Sequence, residues 1–402
     1  MKSTLSGLLF VGITSAALLG ACSSSKSEGD GDGDGGSGGS GGDSAGGTGG
    51  TSSGGKGGAA QGGSAGQNAG GGGAGGGMGG TGGVASMGGA GGQPVMMGGA
   101  GGGAMNPLMP VPKVEQVAMK AGVDSEGPVW VASGGYLLFS DQKGSQMFKL
   151  DPTKPAADPL RLTVFPYKNG AAKPKTNGLT IDKDGNVFAC EASTKGVWKF
   201  TPPAGEPTLV ASMSEGKTVG VVNDVVVSKK GLVYFTSAWN VEGGCGSAAD
   251  AAYYMDANKV VKKITTGKNG VDGPLNTNGV VLSKDERTLY ISDDGCYENL
   301  GGIWKYPVAE DGTPGKGVVF VSDIWVPDGL AVDDADNLYV ASNKDVGRAI
   351  LVYKPDGTAW GKIAIPGKNP SNVSFGDADR KTLYVTAGDT IFKIALPIPG
   401  AP

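Results

Sequence analysis

Histidine is absent from all 402 residues. That removes the Ser-His-Asp triad, the His-activated cysteine and any His-ligated zinc site from the chemistry available. Cysteine is scarce, and Cys22, Cys190, Cys245 and Cys296 stand far apart, so no thiolate cluster is written into the chain. Basic runs are lacking too. The net charge is −4, and no stretch gathers the Lys and Arg that phosphate binding needs, which argues against nucleic acid as a partner. The apolar run from Leu5 to Leu19 is too short to be read as a membrane span.

That short run reads instead as an export signal. Lys2 supplies positive charge ahead of it, and it ends in Leu19-Gly20-Ala21-Cys22. The ending resembles the lipobox of bacterial lipoproteins. The resemblance implies cleavage after residue 21 and lipid on Cys22, an ordinary secretory signal ending near Ala21 being the alternative. Ser23, rather than Asp, follows the cysteine and resembles the pattern sent to the outer membrane. The expectation is a lipid-anchored protein of the cell envelope, at the outer membrane or cell surface. In residues 23–105, 40 of 83 positions are glycine and none is aromatic. Such a segment buries too little apolar surface to offset its ordering entropy and is expected to be disordered. As a flexible coil it would span roughly 50 Å. A calcium-binding glycine repeat needs a regular Asp after each cluster, whereas Asp30, Asp32, Asp34 and Asp43 occur only near the start. Residues 22–105 are therefore read as a lipidated spacer, and 106–402 as the folded domain.

From Pro107 onward the chain repeats itself. Each unit opens on an Asn, Asp or Glu, often followed by Gly. A short apolar stretch, a polar turn and a strand rich in aromatic and β-branched residues come next. Glu126-Gly127-Pro128-Val129-Trp130 leads to Tyr136-Leu-Leu-Phe-Ser-Asp141, Asn177-Gly178-Leu179 to Val187-Phe188, and Asn223-Asp224-Val225 to Val233-Tyr234-Phe235-Thr236. Asn278-Gly279-Val280 leads to Leu289-Tyr290-Ile291, Asp328-Gly329-Leu330 to Leu338-Tyr339-Val340, and Asn372-Val373 to Leu383-Tyr384-Val385. The spacings are 51, 46, 55, 50 and 44 residues, the period of propeller blades with about four strands each. Asp184-Gly185 and Lys230-Gly231 supply hairpin turns. The run Asp182-Lys183-Asp184-Gly185 is not an EF-hand, because its glycine comes too early. The fold expected is an all-β, six-bladed propeller. The sixth unit lacks an outer strand, and the partnerless segment Pro112–Ala118 is expected to complete it and remove the open edge.

The innermost strand of each propeller blade starts at the channel mouth, so the unit-opening residues should share one site. They form a ring of Glu126, Asn177, Asn223, Asn278, Asp328 and the less regular Asn372. Two carboxylates with several amides make a hard oxygen set suited to Ca²⁺, Mg²⁺ or Mn²⁺. The same residues could instead merely shape turns. Recurrence at equivalent positions favours a site.

These segments, with Pro327-Asp328-Gly329-Leu330-Ala331-Val332-Asp333 and Asn372-Val373-Ser374-Phe375-Gly376, resemble the gluconolactonase family that includes senescence marker protein (regucalcin). The resemblance covers about 290 residues. It implies a six-bladed propeller with one divalent metal, Ca²⁺ being the expected ion and Mg²⁺, Mn²⁺ or Zn²⁺ the alternatives. It implies Glu126, Asn278 and Asp328 as metal ligands, Asp328 also as the catalytic base, and Asn223, with Asn177, as substrate-binding residues. The implied substrate is a small-molecule lactone or related ester, opened by metal-dependent hydrolysis. Some members carry an Arg where Val221 stands, bacterial members often carry His at Ala192, and they often carry Asp at Ser237. These departures imply an altered substrate wall beside an intact metal set. Cys245 and Cys296 occupy equivalent loops in successive repeats and are expected to pair, three free thiols being the alternative. Cys190 lies in an apolar strand and reads as a buried small hydrophobe. The segment from Trp239 to Asn258 is expected to lid the channel, and a monomer is expected. The competing reading is a non-catalytic surface propeller that binds a ligand over a structural metal. A carboxylate at 328, where Asn could supply a ligand oxygen but not a base, favours the hydrolase.

Overall fold

The computed structural model describes residues 104–203, 206–238, 250–264, 273–297, 300–343 and 347–402. Cys22, residues 1–103 and Cys245 lie outside the described residues. The described residues form six four-stranded antiparallel sheets, five built from one unit each and the sixth completed by a strand ahead of the first unit, with a small two-stranded ribbon besides. The inner strands are Ser125–Val131, Thr176–Ile181, Val222–Val227, Thr277–Leu282, Pro327–Val332 and Asn372–Gly376. Each inner strand lies against the next, and the sixth lies against the first, so the sheets close into a six-bladed propeller.

Why these segments become strands follows from their burial. The second strand of each blade, for example Tyr136–Asp141 or Leu338–Ser342, is covered on both faces by neighbouring blades. Its middle therefore reads as an apolar run without polar alternation, and polar residues such as Ser140, Asp141 and Ser342 come at its end. The apolar side chains form wedges between successive blades. One wedge joins Val129, Val131 and Leu138 of blade 1 to Leu179, Val187 and Phe200 of blade 2. Another joins Tyr339 and Ile350 of blade 5 to Val373, Leu383 and Phe392 of blade 6. Trp130 stacks on Tyr384 at 5.7 Å across the seam between blades 1 and 6. At the hairpin turn after Asp182, Gly185 sits at φ +81°, and its N–H donates to the Asp182 carbonyl at 3.0 Å.

The ring closes as the sequence indicates. Strand Val114–Met119 pairs with Thr390–Ala395 and forms the outer edge of blade 6. The two ends of the domain are thereby joined in one sheet. The lid expectation needs correction. Ala251–Met255 is the third strand of blade 3, paired with Val233–Ser237, and it is buried throughout. Its Ala-Ala-Tyr-Tyr-Met composition fits a strand packed on both faces. Residues 239–249 of that segment lie outside the described residues.

Candidate active site

Five of the six inner strands carry an extra residue at the same place. The register against the second strand slips between Glu126 and Val129, Thr176 and Leu179, Val222 and Val225, Thr277 and Val280, and Pro327 and Leu330. A β-bulge of this kind bends the strand and re-aims a side chain. Each bulge falls on the polar residue that opens the unit. The glycine after that residue answers a close approach. A Cβ on Gly279 would come within 2.4 Å of the Asp328 carbonyl, and one on Gly127 within 2.3 Å of the Asn177 carbonyl. Hydroxyls of the second strands hold the next blade's backbone in place. Ser140 Oγ donates to the Asn177 carbonyl at 2.7 Å, and Ser292 Oγ to the Asp328 carbonyl at 2.8 Å. Thr236 Oγ1 does the same to Asn278.

The bulges open onto a cavity of about 510 Å³, lined by Glu126, Asn177, Asn223, Asn278 and Asp328 together. All the metal and substrate residues named from the sequence thus face one space. Asn372 does not. Blade 6 has no bulge, its inner strand pairing without a slip from Asn372 to Gly376. The Asn372 side chain consequently lies on a second cavity beyond the first, and its Oδ1 accepts from its neighbour Val373 at 2.8 Å. Ser371 lines the first cavity in its stead.

Asp328 is 4 % exposed, and its carboxyl is held well above the ordinary carboxylate range. Burial is the main cause, with Asp294, Asp224 and Asp124 adding repulsion against the hydrogen bond from Asn343. That bond runs from Asn343 Nδ2 to Asp328 Oδ2 at 3.0 Å. Glu126 keeps some surface toward the cavity and is raised in the same way, first by desolvation, then by Asp328, Asp124 and Asp224. The Asn278 amide nitrogen reaches Asp294 Oδ2 at 3.5 Å, an orientation that keeps the amide oxygen for a ligand. Among the described residues no three of His, Cys, Asp and Glu gather to hold a metal alone. A cation here needs amide oxygens beside the two acids. Two crowded acids, a fixed amide oxygen and no imidazole or thiolate fit a hard divalent ion.

Some of this was not foreseen from the sequence. Asp224 fills the position that is glycine in four other blades. It accepts from the N–H groups of Val225 and Val280, at 2.9 and 3.2 Å, and burial pushes it up to about 7. Gln142, Asp294 and Asn343 each directly follow the second strand of their blade. Aligning that position across units would have flagged them. Ala192 occupies the place in its blade that Gln142 and Asn343 occupy in theirs, whereas Ser237 needs a different account from an altered substrate wall. Neither lines the cavity. Ser237 pairs with Val222 just as Asp293 pairs with Thr277. Asp293 accepts from the backbone of Leu275, Asn276 and Gly295, so this position staples a loop. Glu191 does likewise for Lys175, Ser193 and Thr194. Cys190 is a free, fully buried thiol, and Cys296 is disulfide-bonded.

The model of the SMP-30/Gluconolactonase/LRE-like region matches residues 125–389. The chain belongs to this family. Among relatives, a gluconolactonase of Zymomonas mobilis is 29% identical over 292 residues, covering 67% of this chain and 78% of that protein. Pentonolactonase XacC of Haloferax volcanii is 25% identical, covering 69% and 85%. Of solved structures in this fold, a gluconolactonase of Xanthomonas campestris superposes with a TM-score of 0.59 at 22% identity, covering 73% and 92%. A calcium-binding regucalcin of Agrobacterium tumefaciens gives 0.57 at 19%, covering 72% and 95%. The SMP-30/gluconolactonase match begins at Ser125 and ends at Asp389, so it contains every bulged residue of the ring.

Proposed function

We propose that this protein hydrolyses a lactone, holding a divalent cation, Ca²⁺ first among candidates, with Glu126, Asn278 and Asp328. The observation that carries the reading is the meeting, from five inner strands, of two crowded carboxylates and three asparagines in one cavity of a chain without histidine. The lactonase names of its relatives support it. A bound cation supplies Lewis-acid polarisation of the lactone carbonyl. Asn177 and Asn223 orient the substrate through their amides. Asp328 accepts a proton from the attacking water as the new C–O bond forms at the carbonyl carbon. The ring C–O bond then breaks, and the leaving oxygen takes that proton back from Asp328 to become the hydroxyl of the open acid. Asn343 keeps the carboxylate oriented through both transfers.

The test is to strip the full chain with chelator and assay glucono-1,5-lactone, other lactones and aryl esters with Ca²⁺, Mg²⁺, Mn²⁺ or Zn²⁺ restored. Metal-dependent turnover that disappears in Asp328→Ala supports the proposal. Turnover indifferent to both chelator and Asp328→Ala would sink it. A metal-induced rise in melting temperature without any turnover would favour a ligand-binding propeller. Lipid on Cys22 would tether the domain to the envelope, so Cys22→Ala should move the protein from the membrane pellet to the soluble fraction.

A further inference from the structure

Two buried side chains stand near the axis where other blades have none. Blades 1, 2, 4 and 5 carry Gly127, Gly178, Gly279 and Gly329 after the residue that opens the unit, whereas blade 3 carries Asp224. In blade 6, which lacks the bulge, Asn372 points the same way. Both side chains lie on the second cavity, while their chain neighbours Asn223 and Ser371 line the first. They therefore stand at the boundary between the two. With the sheets closed in chain order, blades 3 and 6 face each other across the ring. The Asn372 side chain hydrogen-bonds to the Asp224 carboxylate, and its Oδ1 is taken by Val373, so its amide nitrogen is the donor. The pair makes a crossbeam between opposite blades, beneath the first cavity. Glycines leave room for it. A Cβ on Gly178 would fall 2.0 Å from Asp224 Oδ1, and one on Gly329 would fall 2.1 Å from Asn372 Oδ1.

The crossbeam grips the bulge that carries Asn278. The Val280 N–H donates to Asp224 Oδ2 at 3.2 Å, and the Val225 N–H donates to Oδ1 at 2.9 Å. The Asp224 N–H donates to Thr236 Oγ1 at 3.0 Å, and that hydroxyl donates to the Asn278 carbonyl. The slip in blade 4 runs from Thr277 to Val280, so blade 3 holds the backbone at Asn278 and again at Val280. Every group that reaches the Asp224 carboxylate is a donor. An amide at 224 would turn its own NH₂ toward one of them. We propose that Asp224, braced by Asn372, is a positioning residue that fixes the Asn278 bulge and so aims the Asn278 amide oxygen at the cation. The proposal rests on the cation-dependent lactonase reading above. Groups behind a metal ligand orient it and thereby set the affinity of the site.

The experiment uses the full chain. After chelation, Ca²⁺ is titrated back while melting temperature and lactone turnover are read at each concentration. Asp224→Gly gives blade 3 the glycine of the four other blades and releases Val280. It should need roughly 10–100-fold more Ca²⁺ for half the rise in melting temperature. Turnover lost at low Ca²⁺ should return as Ca²⁺ is raised. Asn372→Ala keeps the Asp224 charge but removes the brace, and should shift the Ca²⁺ requirement in the same direction by less. A lower melting temperature in chelator with an unchanged Ca²⁺ requirement would make Asp224 structural only and overturn the proposal. A shift in Asp224→Gly with none in Asn372→Ala would assign the effect to charge and overturn it as well. Should Asp224→Gly not fold, Asn372→Ala decides alone: its shift sustains the proposal and its indifference ends it. Without turnover of any lactone the hydrolase reading fails, and the Ca²⁺ requirement still decides the role of Asp224. If Ca²⁺, Mg²⁺, Mn²⁺ and Zn²⁺ all leave the melting temperature of the unmodified chain unmoved, the cation reading fails and the proposal falls with it.

Discussion

In the proposed function Asp328 is a ligand and a base at once, and the two roles have different chemical requirements. An amide oxygen satisfies the first but not the second. Asp328→Asn should therefore retain most of the cation-induced rise in melting temperature while losing roughly 10²–10⁴-fold in kcat, the usual contribution of a general base. Loss of both together would make 328 a ligand only, and loss of neither would remove it from the site. Its buried position explains why the acid must be built in with partners. Asn343 holds one oxygen, and Ser292 holds its backbone carbonyl. The residue type at 328 was legible from the repeat. Asn343 becomes legible only when the position after each second strand is aligned across the units, where it falls beside Gln142 and Asp294.

At the scale of the element, the β-bulge is what turns a strand residue into a site residue. In four of the five bulged blades the neighbour has no side chain, because the following blade passes within van der Waals contact, and in blade 3 Asp224 takes that place. Gly279→Ala would set a methyl 2.4 Å from the Asp328 carbonyl and 2.9 Å from Gly329 Cα. Neither contact is with a flexible side chain, so the inner strands of blades 4 and 5 must move apart. The expected cost is about 1–3 kcal/mol of stability or more, with turnover falling further because Asp328 is displaced. Chemical denaturation and kcat measured on the same variant check this. Gly185→Ala, in an open turn at φ +81°, should cost stability without affecting kcat. The Asn-Gly and Asp-Gly pairs were visible in the sequence, but turns use the same dipeptides. Only the register shows that here they mark bulges, and only the missing bulge in blade 6 explains why Asn372 turns away.

For the whole molecule, the raised acids link pH, cation and stability. Glu126 and Asp328 are held well above their ordinary values, and Asp224 stands at about 7, all chiefly by burial. Between the ordinary carboxylate range near 4 and those raised values, the folded protein binds more protons than the unfolded chain. Without a cation, stability from these groups is complete below about pH 4 and falls as pH rises through neutrality. On the proposed function a divalent ion would replace the protons on Glu126 and Asp328, so its stabilisation should grow with pH. Thermal melts in chelator and in excess Ca²⁺ should differ more at pH 8 than at pH 5. Equal differences at the two pH values would mean that the cation does not bind these acids.

The amino-acid sequence by itself determined the number of blades, the positions of their inner strands and a closing strand, read at Pro112–Ala118 and formed by Val114–Met119. Period, hairpin turns and apolar runs are local signals, and each blade is a local unit. It also determined the residue types of the ring, because equivalent positions in a repeat must occupy equivalent places around an axis. What the tertiary structure decided is which of those residues share a space. It admits Glu126, Asn177, Asn223, Asn278 and Asp328, excludes Asn372, and brings Arg348 and Asn369 to the same wall from connecting segments. Those memberships depend on backbone register and on segments that meet only when six blades close into a ring. No single repeat encodes them.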